Sequence, residues 1–240
     1  MSAGRRIAAG VTRWLPSENP RTVCPPGRLR PGGGARPSVI VASMARSGTH
    51  LLMDAVFNHF PAYRRRPLYL DLLLCEWQDR MPGRALLEQC PGYVVKTHYD
   101  GVVYGNEAHR RRILDLVELG AVVLVLERGH EALRRSQKAF MGDGFDAPLF
   151  ERQSAAFFRF WAPLETLRVR FEDLVDGQGF VKVVGDLSQA LGLEAGPLRR
   201  PVRQALANYR NKLLTRLLGG RAPVISTGIG FRQTEHPPGT

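Results

Sequence analysis

The chain has 240 residues, 34 basic against 22 acidic side chains, a formal net charge of +12 and 44% hydrophobic residues. That is enough apolar material for the core of one α/β domain, and it excludes collagenous, low-complexity and wholly disordered chains. The longest purely apolar run, residues 121–126, is far short of the roughly 20 residues a membrane span requires, so no membrane span is expected.

The charge is unevenly placed. Residues 1–37 hold Arg5, Arg6, Arg13, Arg21, Arg28, Arg30 and Arg36 against Glu18 alone, which is half of the net charge. With scattered prolines, the run Pro31-Gly-Gly-Gly34 and no sustained periodicity, residues 1–37 read as a flexible basic tail. Its acid-poor, Arg-rich start has the composition of an organelle transit peptide but lacks the apolar core of a secretory signal. The folded domain is expected over residues 38–240. Cys24, Cys75 and Cys90 form no Cys-x-x-Cys pair, which argues against a disulfide framework or a structural zinc site and for reduced thiols in a cytoplasmic protein.

In chain order, residues 39–42 form a short apolar strand pattern, and a loop of small residues, 43–49, follows. Residues 51–60 read as a helix with Leu52, Met53, Val56, Phe57 and Phe60 on one face and Pro61 as its stop. Residues 93–95 are a second strand, and 107–118 a helix closed by Gly120. Residues 121–126, apolar on both faces, predict a central strand. A helix over 131–140 is broken by Met141-Gly-Asp-Gly144. Residues 157–167 read as a helix running into a fourth strand at 167–171, and helices follow at 180–191 and 199–218. Strands alternating with helices of this length predict a central parallel sheet with helices on both faces, a P-loop-like three-layer sandwich. Ligands in such sheets bind beyond the carboxyl ends of the strands, which directs attention to the residues after Ala42, Val95, Leu126 and Phe171.

After the first strand, Ser43-Met-Ala-Arg-Ser-Gly-Thr-His50 runs straight into a helix. Strand, small-residue loop and helix start together make an anion site, because backbone N–H groups and the helix dipole both face the ligand. Ser47 and Thr49 add hydroxyls and Arg46 a cation. A Walker A loop needs Gly-Lys-Ser/Thr, whereas Gly48 is followed by Thr49 and the cation precedes the glycine. Lys96 and His98, two apart at the end of the second strand, point to the same side; they suit charge neutralisation and general base work. Arg128 ends the third strand, and Ser136 lies eight residues on, placed to share a second phosphate.

Together these residues resemble the sulfotransferases that use 3′-phosphoadenosine 5′-phosphosulfate (PAPS). Ala45-Arg-Ser-Gly-Thr-His50 is similar to that family's 5′-phosphosulfate loop, with alanine for its proline. Lys96-Thr-His98 is similar to its Lys-Thr-His, whose histidine deprotonates the acceptor hydroxyl. Arg128 and Ser136 match, at the same spacing, the family's arginine and serine for the 3′-phosphate. Phe171-Glu-Asp-Leu174 resembles the Tyr-Glu-Asp-Leu segment beside the adenine, and Gly228-Ile-Gly-Phe-Arg232 resembles the C-terminal turn whose arginine reaches the 3′-phosphate. The resemblance spans about residues 38–232. It implies PAPS as co-substrate without a metal, His98, Lys96 and Arg46 as catalytic groups, and Arg46, Ser47, Gly48, Thr49, His50, Arg128, Ser136, Phe171 and Arg232 as the nucleotide site. Leu51 stands where many members place a tryptophan, and Gly129-His130 replaces the usual Asn-Pro.

The expected reaction is sulfuryl transfer from PAPS to a hydroxyl or amine of a small-molecule or glycan acceptor. A P-loop kinase shares the strand–loop–helix opening and is the alternative, as is a non-catalytic relic that binds the product nucleotide PAP. Nucleic acid is not an expected partner, since no recognition module accompanies the charge; the oligomeric state is open. His50, at a helix N-terminus, competes with His98 as base. His59, His109, His130 and His236 have no comparable setting and are expected at the solvated surface, as are Arg110, Arg111 and Arg112. Tyr63, Tyr69, Trp77, Tyr99, Tyr104, Phe145 and Phe150 are candidates for an aromatic acceptor pocket, with residues 142–150 as a mobile lid.

Overall fold

The computed structural model describes residues 26–31, 36–64 and 68–198. Five strands form one sheet in the order β2-β3-β1-β4-β5: β1 Val39–Ser43, β2 Tyr69–Asp71, β3 Val94–Thr97, β4 Val122–Glu127 and β5 Leu167–Arg170. Every pairing is parallel, as the alternating sequence pattern requires. The helices between them are α1 Thr49–His59, α2 Leu72–Trp77, α3 Arg84–Gln89, α4 Glu107–Glu118, α5 His130–Met141 and α6 Ala147–Trp161; α7 Phe171–Val175 and α8 Gly177–Leu191 follow β5.

The central strand shows how the layers arise. Successive side chains of a strand leave opposite faces, so Val39 and Val41 enter one core with Leu52, Val56 and Phe57 of α1 and Phe180, Val184 and Leu187 of α8. Ile40 and Ala42 enter a second core with Ile113 and Leu116 of α4 and Phe157 and Trp161 of α6. All five residues of β1 are buried. The expected α/β sandwich with a central parallel sheet is what forms, and β1 is its middle strand.

Several local expectations are revised. Residues 69–71 pair with β3 as an additional short strand; three residues carry too little periodicity to be read alone. The helix expected at 157–167 begins ten residues earlier, at Ala147. Asp146 caps it by accepting a hydrogen bond from the Leu149 N–H, and Pro148 sits in the first turn, where its missing N–H costs nothing. The proposed lid at 142–150 is therefore a short 3-10 turn, Gly142–Gly144, running into a helix whose Phe150 is core. Most of residues 1–37 lie outside the described residues, but Leu29 is buried in the second core and the Arg30 N–H donates to the Tyr93 hydroxyl at 3.3 Å. The helix expected at 199–218 and Arg232 also lie outside the described residues. Among the described residues no helix is long and apolar enough to cross a membrane.

Candidate functional site

The carboxyl ends of β1, β3, β2 and β4 meet around residues 43–50. Between β1 and α1 the chain makes two turns through positive φ, at Arg46 (71°) and Gly48 (98°). A non-glycine residue in that region costs roughly 1–2 kcal/mol, so the loop must be held from outside. Two side chains do so. Gln137 of α5 donates through Nε2 to the Ala45 carbonyl at 3.0 Å, and Arg128 at the end of β4 donates through Nη1 to the Arg46 carbonyl at 2.9 Å. With those carbonyls engaged, the loop also closes on itself, the Ser47 N–H donating to the Met44 carbonyl at 3.2 Å. Gly48 is the N-cap of α1 and supplies no capping side chain, and the Leu51 N–H turns back on the Gly48 carbonyl at 2.8 Å; a helix start of this kind suits an anion.

Ser47 is buried, and its hydroxyl has no hydrogen-bond partner among the described residues. Buried polar atoms are nearly always paired, which makes this orphaned oxygen, in the middle of the loop, a mark of a ligand's place. Arg128 repeats the pattern: its Nε is buried without a partner among the described residues, and its guanidinium stacks on the Phe171 ring at 4.4 Å from the centroid. Phe171 in turn lies over Gly48, where a Cβ would meet ring atom Cδ2 at 2.5 Å. Glu172 completes the bracket by accepting from the Gly129 N–H at 3.0 Å. Loop, β4 end and the start of α7 thus form one unit, with Arg128 and Phe171 half-buried and together against the loop.

The Thr49 hydroxyl is buried against Ser43 Oγ at 2.6 Å, and the exposed Arg46 side chain lies 4.8 Å from the centroid of the Phe140 ring. Ser136 is half-buried on α5, between Leu133 and Gln137 of its inward face.

His98 is brought to the loop from β3. Its Nδ1 lies 2.7 Å from the Ser43 carbonyl oxygen. A carbonyl only accepts, so Nδ1 carries the proton and Nε2 keeps a lone pair. Burial, then the charge of Lys96, push its pKa down to about 4, which leaves the ring neutral at physiological pH. His50 reaches the same place: burial, then Lys96 and His98, push its pKa down to about 3, and its ring meets the edge of Tyr69 at 6.0 Å. Both histidines therefore stand as neutral rings beside the loop.

Lys96 is not a free cation. Its Nζ donates to Asp71 Oδ2 at 2.7 Å, with both side chains nearly buried, as the β2–β3 register opposite Asp71 requires. Burial would raise the Asp71 carboxyl, but Lys96 and the Leu74 N–H outweigh it and hold its pKa below the ordinary value. Asp71 also caps α2 through that N–H at 3.2 Å. Sequence reasoning missed Asp71 because its strand is too short to announce itself; Gln137 and Glu172 were missed because each acts on a backbone group remote in the chain.

The histidines expected at the surface divide. His59 and His109 are wholly buried: His59 Nδ1 donates to the Ala55 carbonyl at 2.7 Å, and His109 lies between Glu76 and Thr97. His130 is exposed and pairs with Glu151, whereas His236 is outside the described residues. Of the aromatic acceptor candidates, Tyr63, Tyr69, Tyr99 and Phe150 are core and Trp77 is 70% exposed. Tyr104 and Phe145 are half-buried, and the Tyr104 ring stands 6.4 Å from that of His98.

No protein-family profile and no curated protein matches the chain. Among solved structures it is similar to shikimate kinase from Bacteroides thetaiotaomicron, at 14% identity over 66% of this chain and 100% of that one, with a TM-score of 0.41. It is also similar to the tunicamycin resistance protein of Deinococcus radiodurans, at 14% identity over 68% of this chain and 100% of that one, with a TM-score of 0.38. Likeness at this level carries no argument about chemistry.

Proposed function

We propose that the chain transfers a sulfuryl group from PAPS to a hydroxyl or amine of a small-molecule or glycan acceptor. The observation that carries this reading is His98: its Nδ1 is pinned to the Ser43 carbonyl at 2.7 Å, so the ring, with Nε2 unprotonated, is held at the phosphate-type loop that begins at that same residue. In this reading Nε2 takes the acceptor's proton and the acceptor oxygen or nitrogen bonds to sulfur. The bond from sulfur to the bridging oxygen breaks, and its electron pair leaves with the 5′-phosphate. The loop N–H groups and the Ser47 hydroxyl hold the phosphosulfate, and Lys96, shared with Asp71, offsets charge on the departing oxygen. Arg128 and Ser136 take the 3′-phosphate, while Phe171 borders the nucleotide.

A P-loop kinase is the second reading, and Asp71 favours it: a carboxylate beside Lys96 and near His98 is a group a kinase uses to activate a hydroxyl. Against it stands the absence of a lysine after Gly48. Calorimetric titration with PAP and with ATP plus magnesium separates the two. PAP binding without magnesium dependence is expected; tight, magnesium-dependent ATP binding with no PAP binding would sink the sulfuryl reading. PAP binding with no transfer to any acceptor in a labelled-PAPS screen would make the chain a relic. With an acceptor in hand, His98→Ala is expected to lose roughly 10²–10⁴ in kcat while PAP affinity is kept.

A further inference from the structure

The buried His109 has a setting that the site described above does not use. Its Nδ1 lies 2.6 Å from Glu76 Oε2 on α2, and its Nε2 lies 2.8 Å from Thr97 Oγ1 on β3. The ring is fully enclosed, as is Thr97. A carboxylate accepts only, so Nδ1 carries the proton, Nε2 is an acceptor, and the Thr97 O–H donates to it. The same Thr97 oxygen accepts from the Tyr99 N–H at 3.0 Å. The Tyr99 carbonyl accepts from Trp161 Nε1 at 2.9 Å, and the His109 backbone N–H is taken by Asn106 Oδ1 at 3.0 Å. Among the described residues no buried side-chain atom of Glu76, Thr97, His109 or Trp161 lacks a partner, and burial holds the His109 pKa below its ordinary value despite Glu76. The arrangement has the order of a nucleophile–base–orienter triad, but Thr97 is sealed from any substrate, so it cannot serve as one.

What the chain of groups encloses is His98. Thr97 and Tyr99, its two neighbours, are each fixed, one through its side chain and the other through both backbone groups. We propose that Glu76, His109 and Thr97 form a buried relay whose task is to position His98, so that its Nδ1 meets the Ser43 carbonyl and its Nε2 faces the acceptor. The proposal rests on the role given to His98 above. These three are positioning residues: among the described residues none of their side chains hydrogen-bonds to the loop, and they act by denying the 97–99 backbone any other course. A His98 side chain displaced by about 1 Å would forfeit on the order of 10²-fold in rate.

The test pairs Thr97→Val, which keeps the shape and deletes the hydroxyl, with Thr97→Ser, which restores it. Three measurements are made: kcat for sulfuryl transfer, PAP affinity by calorimetry, and the imidazole nitrogen spectrum of His98 in the labelled full chain. For Thr97→Val the expected result is a loss of about 10- to 100-fold in kcat with PAP affinity within about threefold. The His98 nitrogens should change from a single Nδ1–H tautomer to a mixture. Thr97→Ser should recover both kcat and the single tautomer. Glu76→Leu breaks the relay at its other end without altering β3 and should reproduce the Thr97→Val result. An unchanged His98 nitrogen spectrum in Thr97→Val and Glu76→Leu would overturn the proposal, as would kcat and PAP affinity falling together. If the wild-type chain transfers no sulfuryl group, the proposed function fails by itself, and the nitrogen spectrum still decides whether the relay sets the tautomer.

Discussion

At the scale of single residues the proposed transfer turns on how the protein keeps two histidines neutral beside a cation. Burial and Lys96 act in the same direction on His98 and His50, and the Ser43 carbonyl then decides which nitrogen of His98 holds the proton. The consequence is a pH dependence. A base must be unprotonated to act, and His98 gains its proton only as pH falls to about 4. The kcat/KM profile, which reports the free enzyme, is therefore expected to stay level from neutral pH down to about 5 and to fall only as pH approaches about 4. An acidic limb centred near the ordinary histidine value of about 6.5 would show that the essential base is not this histidine in this setting. The residue types were legible in the sequence: Lys96 and His98 share a side of a strand by simple alternation. Their partners were not, because Asp71 and Ser43 are 25 and 55 residues away in the chain from Lys96 and His98.

At the scale of elements, the loop between β1 and α1 is a strained turn held by its neighbours. Gly48 combines positive φ with a phenyl ring where a Cβ would stand. Gly48→Ala is expected to cost roughly 1–2 kcal/mol from backbone strain alone, to displace Phe171, and to weaken PAP binding. Adding Phe171→Leu should relieve part of that cost, a non-additivity measurable by urea unfolding of the single and double variants; strictly additive losses would show that ring and glycine are not in conflict. The Lys96–Asp71 pair joins β3 to β2 in the same way. Asp71→Ala leaves a nearly buried ammonium unpaired and removes the cap of α2, so a loss of about 3–5 kcal/mol is expected. Asp71→Leu combined with Lys96→Met should recover most of it in the same unfolding measurement, at the expense of activity. The helices α1, α4, α5 and α8 were legible because each carries a long 3.6-residue period. The strand β2 and helices α2 and α3 were not, being too short for a period to rise above local composition.

At the scale of the whole molecule, two cores on either face of one sheet carry the site to its edge. Trp161 is the largest fully buried side chain among the described residues and also fixes the Tyr99 carbonyl next to His98. Trp161→Ala is expected to destabilise the fold by about 3–5 kcal/mol, whereas Trp161→Phe should keep most of the stability and lose the hydrogen bond, lowering activity more than the unfolding midpoint. An equal effect of Trp161→Phe on both would assign the residue to packing alone. By itself, the sequence determined the class of fold, the order of most strands and helices, and the small-residue loop that joins the first strand to a helix. Those depend on period, on small residues and on turn chemistry, all read within a few positions of the chain. Only the tertiary structure decided that β1 is central between β3 and β4, that Lys96 belongs to Asp71, that Arg128 and Gln137 hold the loop by its carbonyls, and that His109 is a core residue. Each of these is a pairing across the sheet or between layers. The energy that selects such a pairing comes from excluding water around groups far apart in sequence, and no local pattern records it.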